Sequence, residues 1–452
     1  NLSSTTNPKV KLVASSRTNE ANATYYVGVF IKNNSYTYST SDNTPEVILT
    51  IKDENGNNVT SGVDGLSYVT SNGVSGFDVT KTNGIYNVKT DYPISTTSST
   101  TGTTHTWTFT LTFVNLSTDQ SVNENAKMNV DVYIQKEEYK PTLAEYVVSQ
   151  YSGTQGDNGI YYHDSSLANG AGDNSYRYAG ASDAVNNYVC FGSTTSPCPT
   201  DNLYRIIGVF GENNHGVTGK QLVKLIKYDY ATSNLLGKDG DYEGTSIPNS
   251  TYKGSLTSID TYSWNYKNNT SINNGSNTWS TSLLNKINLN TNYLNKIGTT
   301  WSNLIEDATW KVSGHSTNSV TPSEMYTAEI TNATKTYGPS DGTSKISLVY
   351  ASDYGFAASP SAWTKKLYNY NGNDANGTSI RTINWMYMGH VEWTISPNFS
   401  TSYFVFPLYD SGRVNGISAS AGYGSRPVLY LKSSVLFAGG SGTKDSPITL
   451  VV

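Results

Sequence analysis

Cysteine and histidine are scarce in this chain of 452 residues, which has two cysteines and five histidines. A zinc site of the usual kind needs several such ligands at close spacing. Because the histidines are scattered, the sequence predicts no metal site and no cofactor. Cys190 and Cys198 lie eight positions apart, a spacing that favours a disulfide closing a local loop, with two free thiols as the alternative.

Charge is also scarce, since Asp, Glu, Lys and Arg make up only 14% of the residues, against about 25% in an average protein. Asn, Ser, Thr, Gly and 35 tyrosines take their place. A surface that stays soluble through neutral hydrogen-bonding groups is typical of secreted and cell-surface β proteins. We therefore expect an extracellular or cell-surface location. The net charge is −5, and the sequence contains no basic patch interleaved with aromatic residues. We therefore expect no nucleic-acid partner.

Long hydrophobic runs are missing, and no apolar stretch reaches the roughly 18 residues of a transmembrane helix. The sequence therefore predicts no transmembrane segment. It starts at Asn1 without an initiator methionine or a visible signal peptide, and we expect that an export segment has been removed.

Catalytic motifs are missing as well. The chain has no His-Glu-x-x-His motif, no convincing Gly-x-Ser-x-Gly turn and no glycine loop of the phosphate-binding kind. Tyr162-His163-Asp164-Ser165 places three triad residue types side by side, but adjacency in sequence is not triad geometry. We expect a binding or structural protein, not an enzyme.

Residues 1–137 predict an all-β domain. Segments with period-two alternation or β-branched and aromatic enrichment, separated by turn signals, indicate short strands. These segments are 24–31, 46–52, 106–114 and 128–134. Their number and length favour an immunoglobulin-like β-sandwich, which we interpret as a stalk or assembly domain.

Residues 138–452 predict a larger α+β domain after a charged hinge. Thr142 and Glu145 have the spacing of a capping box that starts a short helix, and Thr321-Pro322-Ser323-Glu324 repeats this signal. A hairpin is predicted from 203–210 and 221–227, and helical periodicity runs through 280–305. Residues 347–350 and 428–431 predict buried strands.

The second domain resembles a family of secreted or membrane-anchored proteins that occur in many copies in gut-associated low-GC Gram-positive bacteria. The resemblance covers about residues 142–450, and the family has no known function. It depends on the strings Asp173-Asn174-Ser175-Tyr176-Arg177-Tyr178-Ala179-Gly180, Asn202-Leu203-Tyr204-Arg205-Ile206-Ile207-Gly208-Val209-Phe210, Tyr354-Gly355-Phe356-Ala357-Ala358-Ser359-Pro360, Asn384-Trp385-Met386, Glu392-Trp393-Thr394-Ile395-Ser396 and Ser425-Arg426-Pro427-Val428-Leu429-Tyr430-Leu431.

The end of the chain also resembles C-type-lectin-like domains, in which a tryptophan-rich core supports an irregular loop surface. Gly424-Ser425-Arg426-Pro427 is similar to the segment that leads into their last strand. The resemblance implies a C-type-lectin-like α+β head. The Glu-Pro-Asn and Trp-Asn-Asp motifs of true lectins are absent, so calcium-dependent sugar binding is not implied. The cysteines lie upstream of the matching region, so the formylglycine-generating activity found on the same fold is not implied either.

Residues 392–424 are rich in Tyr, Ser, Asn and Gly, a composition typical of adaptable binding loops. We interpret part of this segment as a ligand-contacting surface, with Trp385 and Trp393 as buried supports and Arg426 as a structural donor to backbone carbonyls. The alternative is a set of ordinary strand and turn positions. The predicted ligand-binding residues are Asn398, Phe399, Tyr403, Phe404, Asp410, Arg413 and Asn415.

Two functions fit these features. The first is a bacterial surface adhesin or display module that binds a host or bacterial surface glycan or protein through its lectin-like head. The second is a structural subunit of an extracellular filament or surface layer. In that case residues 1–8, extended and polar, would add a strand to the sheet of a neighbouring copy.

Overall fold

The computed structural model describes residues 1–246, 251–266, 275–333, 341–371 and 379–452. The chain divides into two compact units. Unit 1 consists of Asn1–Pro141 and Val148–Gln155, and unit 2 consists of Thr142–Val147 and Gly156–Val452. The chain as a whole is mainly β, with several antiparallel sheets, and unit 2 also contains most of the helices.

Unit 1 contains a sheet with the strand order β1-β9-β4-β6-β5, a second sheet with the order β10-β3-β7, and the pair β2-β8. The four segments predicted as strands are confirmed as β3, β4, β9 and β10. The strands are β1 (Leu2–Thr6), β2 (Lys9–Leu12), β3 (Ala21–Lys32), β4 (Val47–Lys52), β5 (Tyr68–Ser71), β6 (Val74–Asp78), β7 (Gly84–Thr96), β8 (Thr103–Thr106), β9 (Thr108–Phe113) and β10 (Asn129–Gln135).

The core of unit 1 takes side chains from both larger sheets. Alternate residues of a strand point to the same face, and β3 accordingly buries Val27 and Val29 while β4 buries Leu49, all in one apolar cluster. Trp107 is fully buried beside them, and its Nε1 donates to Tyr25 Oη at 2.9 Å. The period-two pattern of the sequence therefore reflects one shared core.

Strand β1 lies at the edge of its sheet and pairs antiparallel with β9, with Leu2 opposite Phe113. All five of its residues are exposed. Its side-chain bonds are two hydroxyl contacts of 3.0 Å, one from Ser3 to Thr112 and one from Thr5 to Thr110. The segment predicted to join a neighbouring copy thus fills the edge of its own sheet in this structure.

The central sheet of unit 2 has the order β11-β12-β14-β15-β25-β20, and β13 also pairs with β14. The predicted hairpin is confirmed as β14 and β15. The strands of unit 2 are β11 (Ile160–His163), β12 (Ser175–Tyr178), β13 (Tyr188–Cys190), β14 (Leu203–Phe210), β15 (Leu222–Lys227), β16 (Tyr242–Ser246), β17 (Ile259–Ser263), β18 (Ala308–Trp310), β19 (Gly342–Ser344), β20 (Ile346–Ser347), β21 (Glu392–Pro397), β22 (Phe404–Leu408), β23 (Ile417–Ser418), β24 (Gly422–Tyr423), β25 (Val428–Tyr430), β26 (Phe437–Gly439) and β27 (Thr449–Leu450).

The helices are short, and both predicted capping boxes are confirmed. Thr142 Oγ1 accepts from the Glu145 amide at 3.2 Å, and Thr321 Oγ1 accepts from the Glu324 amide at 3.3 Å. The α-helices are α1 (Leu143–Ser149), α2 (Glu212–His215), α3 (Ser233–Leu236), α4 (Leu294–Ser302), α5 (Pro322–Tyr326), α6 (Ala351–Ala357) and α7 (Ile380–Ile383). Among the described residues, no helix is long and apolar enough to cross a membrane.

Two predicted elements differ in detail. The helical stretch predicted at 280–305 is a π-helix, Leu284–Tyr293, followed by α4, in which Gly298 adopts a φ of 78° that interrupts the helix. The strand predicted over 347–350 ends at Ser347, and α6 begins at Ala351.

The predicted disulfide between Cys190 and Cys198 is confirmed. It closes a loop that contains a cis peptide bond between Ser196 and Pro197. Cys190 ends β13, so the bond ties this loop to the central sheet.

Candidate functional site

The two tryptophans predicted as supports are each only 1% exposed. Trp385 Nε1 donates to the Tyr178 carbonyl at 2.8 Å, and Trp393 Nε1 donates to the Tyr262 carbonyl at 2.6 Å. Because each buried N–H has a backbone partner, the two rings are anchored in the interior of unit 2.

Arg426 is buried, and its structural role extends beyond the predicted bond to a backbone carbonyl. Its Nη2 donates to the Met386 carbonyl at 2.8 Å, as predicted. Its principal partner, however, is the buried carboxylate of Glu392, which accepts from Nε at 2.6 Å and from Nη2. A bidentate pair of this kind fixes the entry into β25.

The seven residues predicted to contact a ligand do not form one surface. Asn398 and Phe399 follow the fully buried strand β21 and are each only 7% exposed, which leaves little of either side chain accessible to a ligand. Asn398 Oδ1 instead accepts from the Ser400 amide at 2.8 Å. Asn398 therefore supports the turn that follows β21.

The remaining predicted residues are divided by β22. Tyr403 and Phe404, in edge-to-face contact at 5.0 Å, lie where the strand begins. Asp410 and Arg413 lie in the turn after it ends, and Asp410 is exposed. Asn415 follows this turn, and its Oδ1 accepts from Asn318 Nδ2 at 3.1 Å. The Asn398 amide donates to the Phe404 carbonyl at 2.9 Å, so the predicted residues form one group at the start of β22 and a second group in the turn after it.

Arg413 lies near two tyrosine rings that are not among the predicted ligand-binding residues. Its guanidinium carbon is 5.5 Å from the ring centroid of Tyr368 and 5.2 Å from that of Tyr409. Tyr368 is 46% exposed. Arg413 Nε is buried and has no hydrogen-bond partner within the described ranges.

The strongest candidate site is an open cleft of about 730 Å³ in unit 2 that the sequence reading missed. Three cationic side chains line it together with three tyrosines and one acidic residue. We call it the basic cleft; these residues are Lys253, Arg381, Lys444, Tyr188, Tyr228, Tyr387 and Asp183.

Five separate segments build the basic cleft. Tyr188 belongs to β13, Tyr228 follows β15, Arg381 lies on α7, and Lys444 lies between β26 and β27. The Lys253 amide donates to the Met388 carbonyl at 2.9 Å, which fixes the fifth segment. The cleft thus exists only once the sheet and its connecting loops have assembled.

Buried tyrosine rings hold two of these cations in place. Lys253 Nζ is 5.1 Å from the ring centroid of Tyr387, and Lys444 Nζ is 4.9 Å from that of Tyr228. Contacts of this length are attractive, because the ring face carries partial negative charge. Both lysines are exposed, whereas both tyrosines are buried. The rings therefore act as a platform beneath accessible charges.

The electrostatics of the basic cleft favour an anion. Although part of the Lys253 side chain reaches the surface, partial burial lowers its pKa, the nearby guanidinium of Arg205 lowers the pKa further, and Asp183 raises it. Repulsion between cations means that a bound anion would be stabilised there. Arg381 Nε is buried without a hydrogen-bond partner in the described part of the chain.

The basic cleft adjoins the predicted turn at Asp410. Tyr387, which lines the cleft, donates from its hydroxyl to the carbonyl of Asp410. Its hydroxyl also lies 3.0 Å from Thr251 Oγ1. One part of the predicted surface is therefore adjacent to the cleft.

No group of three or more His, Cys, Asp or Glu side chains that could hold a metal ion occurs in the described residues. Comparison of the chain with protein-family models, with curated proteins and with solved structures gives no match. The geometry of unit 2 is therefore the basis for inferring a function.

Proposed function

We propose that this chain is an extracellular surface protein that binds a ligand through the basic cleft of unit 2. The observation that carries the proposal is the position of exposed cations above buried tyrosine rings in a cleft of about 730 Å³. The disulfide and the charge-poor composition support an extracellular location. An adhesin or display module would use such a site.

We further propose that unit 1 is an immunoglobulin-like stalk and that unit 2 is a lectin-like head. Two sheets that share one core support the first part. Short strands over buried Trp385 and Trp393, with Gly424–Pro427 leading into β25, support the second. Neither fold type bears on the chemistry of the basic cleft.

We expect the full chain to retain a ligand on an array of surface glycans and proteins, and the double substitution Lys253→Gln/Lys444→Gln to abolish retention. Removing both exposed cations takes away the charge that the tyrosine platform positions. The measurement is the array signal of the two proteins at equal concentration.

A second cleft provides the matched control. It has about 770 Å³ and contains Lys238 and Lys296, but no aromatic residue lines it. Lys238→Gln/Lys296→Gln makes the same change in net charge and should leave the signal unchanged. Equal loss in both double variants, or no retained ligand, would refute binding through the basic cleft.

Assembly through β1 is the second candidate function, supported by the exposed edge pairing of this strand. Leu2 is 77% exposed, so it fills no pocket in its own unit. Pro8 follows β1 and has no amide hydrogen to donate to the ladder, which marks the end of this short strand. The same register on β9 of another copy would link two chains.

We expect deletion of residues 1–7 to abolish any filaments seen by electron microscopy and to change the free energy of unfolding of unit 1 by less than about 2 kcal/mol. Ordering costs about 1–2 kcal/mol per residue, and this offsets hydrogen bonds worth about 0.5–1.5 kcal/mol each. Thermal unfolding measures the second quantity. A larger loss, or filaments that persist without the segment, would exclude exchange of β1.

A further inference from the structure

We propose that the basic cleft binds an acidic saccharide, meaning an oligosaccharide that carries carboxylate or sulfate groups. This inference rests on the proposed function and assigns its ligand class. Three properties of the cleft carry it: an excess of positive charge, cations without acidic partners, and a lining of neutral hydrogen-bonding groups.

The positive charge is local. The whole chain has a net charge of −5, yet Lys253, Arg381 and Lys444 face only Asp183 among the residues that line the cleft. A concave surface of one sign concentrates its field and raises the local concentration of oppositely charged ligands. A cleft of this charge selects anions.

The cations of the cleft differ from three of the buried cations of unit 2. Buried Arg177, Lys224 and Arg426 each form an ion pair with a buried carboxylate. No described carboxylate lies within ion-pair distance of Lys253 or Lys444. Lys253 Nζ donates instead to the backbone carbonyl of Arg381. Charges that are neither paired nor needed inside the fold remain accessible to a ligand.

The other lining groups match sugar hydroxyls. Ser182, Asn186, Thr382 and Thr443 contribute hydroxyl and amide groups around the cations. Such groups both donate and accept, as sugar hydroxyls do. The cleft therefore offers neutral contacts for the rings of a saccharide and ionic contacts for its acidic substituents.

An acidic peptide fits less well. Extended peptides commonly bind by adding a strand to a free sheet edge. The strand that reaches this cleft is β13, which already pairs with β14 on one side. On its other side the Tyr188 amide donates to the Gly442 carbonyl, and its carbonyl accepts from the Ile448 amide, both at 2.8 Å. With both edges occupied, this strand has no backbone groups to pair with a peptide.

Calorimetric titration of the full chain with defined probes tests the inference. Hexagalacturonate supplies carboxylates, a heparin hexasaccharide supplies sulfates as well, maltohexaose is a neutral chain of the same length, and hexaglutamate is the acidic peptide. We expect at least one acidic saccharide to bind, with affinity that falls as NaCl is added, and maltohexaose and hexaglutamate to bind at least 10-fold more weakly.

The variants locate the site. Lys253→Gln and Lys444→Gln should each weaken binding of the acidic saccharide by about 10-fold, because each removes a charge-assisted hydrogen bond. Lys238→Gln/Lys296→Gln should leave the affinity within about twofold of the parent. Unchanged thermal unfolding of each variant confirms that it is folded.

Other outcomes overturn the inference in distinguishable ways. Equal binding of maltohexaose, or tighter binding of hexaglutamate, would assign the cleft to a neutral glycan or an acidic peptide. If none of the four probes binds while an array ligand still requires Lys253 and Lys444, the ligand class is wrong and the proposed function stands. Equal weakening by both pairs of lysine substitutions would show non-specific charge attraction.

Discussion

Replacement of Arg177 by alanine is expected to lower the free energy of unfolding of unit 2 by about 3–5 kcal/mol. Arg177 is 1% exposed and forms two ion pairs of 2.8 Å, one with Asp173 and one with Asp353. Its removal leaves Asp173 without its cation and Asp353 with Lys224 alone. Uncompensated charge in the interior is among the most costly defects a fold can carry.

The loss of packing around Arg177 adds to the destabilisation expected for the alanine variant. The Arg177 guanidinium lies 4.6 Å from the ring centroid of Phe210 and 5.1 Å from that of Phe356. The alanine variant loses these cation–π contacts and leaves a cavity between the rings. Urea unfolding followed by tryptophan fluorescence measures the loss, since Trp107 is the one tryptophan of unit 1 and the signal reports mainly on unit 2.

The matched control is an exposed ion pair. Lys366 pairs with Glu324 at 2.8 Å, and its side chain is 40% exposed. Lys366→Ala should cost less than about 1 kcal/mol, because water screens such pairs. Equal losses for Arg177→Ala and Lys366→Ala would show that the buried charges do not contribute as described.

Replacement of Glu329 by glutamine is expected to stabilise unit 2 above neutral pH and to have little effect near pH 4. Glu329 is fully buried, and burial raises its pKa to about 7. Its carboxylate accepts from the backbone amides of Ala351 and Ser352, where α6 begins, and from the Ser396 hydroxyl. These bonds only partly offset the cost of burying the charged form.

The raised pKa of Glu329 determines how the stability of unit 2 changes with pH. The folded chain binds the proton of the Glu329 carboxyl more tightly than the unfolded chain does. The stability that this proton contributes is therefore complete below a pH of about 4.5 and is lost as the pH rises through about 7. A shift of this size corresponds to about 3 kcal/mol. The difference in unfolding free energy between Glu329→Gln and the parent should therefore grow with pH and level off above about 7.

Glu324→Gln provides the opposite case. The hydrogen bond from Lys366, together with the backbone bond from Thr321, lowers the pKa of Glu324 to about 2. Glutamine should therefore destabilise the chain slightly at neutral pH, with no gain at high pH. A Glu329→Gln variant that is less stable than the parent at pH 8 would contradict the burial argument.

The local elements were predictable because their signals are local. β-Branched and aromatic enrichment identified β3 and β4, and period-two alternation identified β9 and β10. The spacing of a threonine and a glutamate identified the starts of α1 and α5. The π-helical form of Leu284–Tyr293 was not predictable, because apolar periodicity does not distinguish it from an α-helix. The pairing of β25 between β15 and β20 depends on contacts distant in sequence.

The candidate site was less predictable for the same reason. Lys253 and Lys444 are nearly 200 positions apart, and only the folded sheet places both beside tyrosines. Asn398 and Phe399 have the composition of a binding loop, yet the course of the backbone buries them. Composition signals which residue types are present, whereas exposure depends on tertiary packing.

A crystal structure of the full chain with the acidic saccharide that binds most tightly in the titration is the most direct test of the basic cleft as the binding site. We expect a carboxylate or sulfate oxygen of the saccharide at about 2.7–2.9 Å from a nitrogen of Lys253, Arg381 or Lys444, with the sugar rings against Ser182 and Thr443. A saccharide ordered on another surface, with the basic cleft empty, would contradict the proposed site.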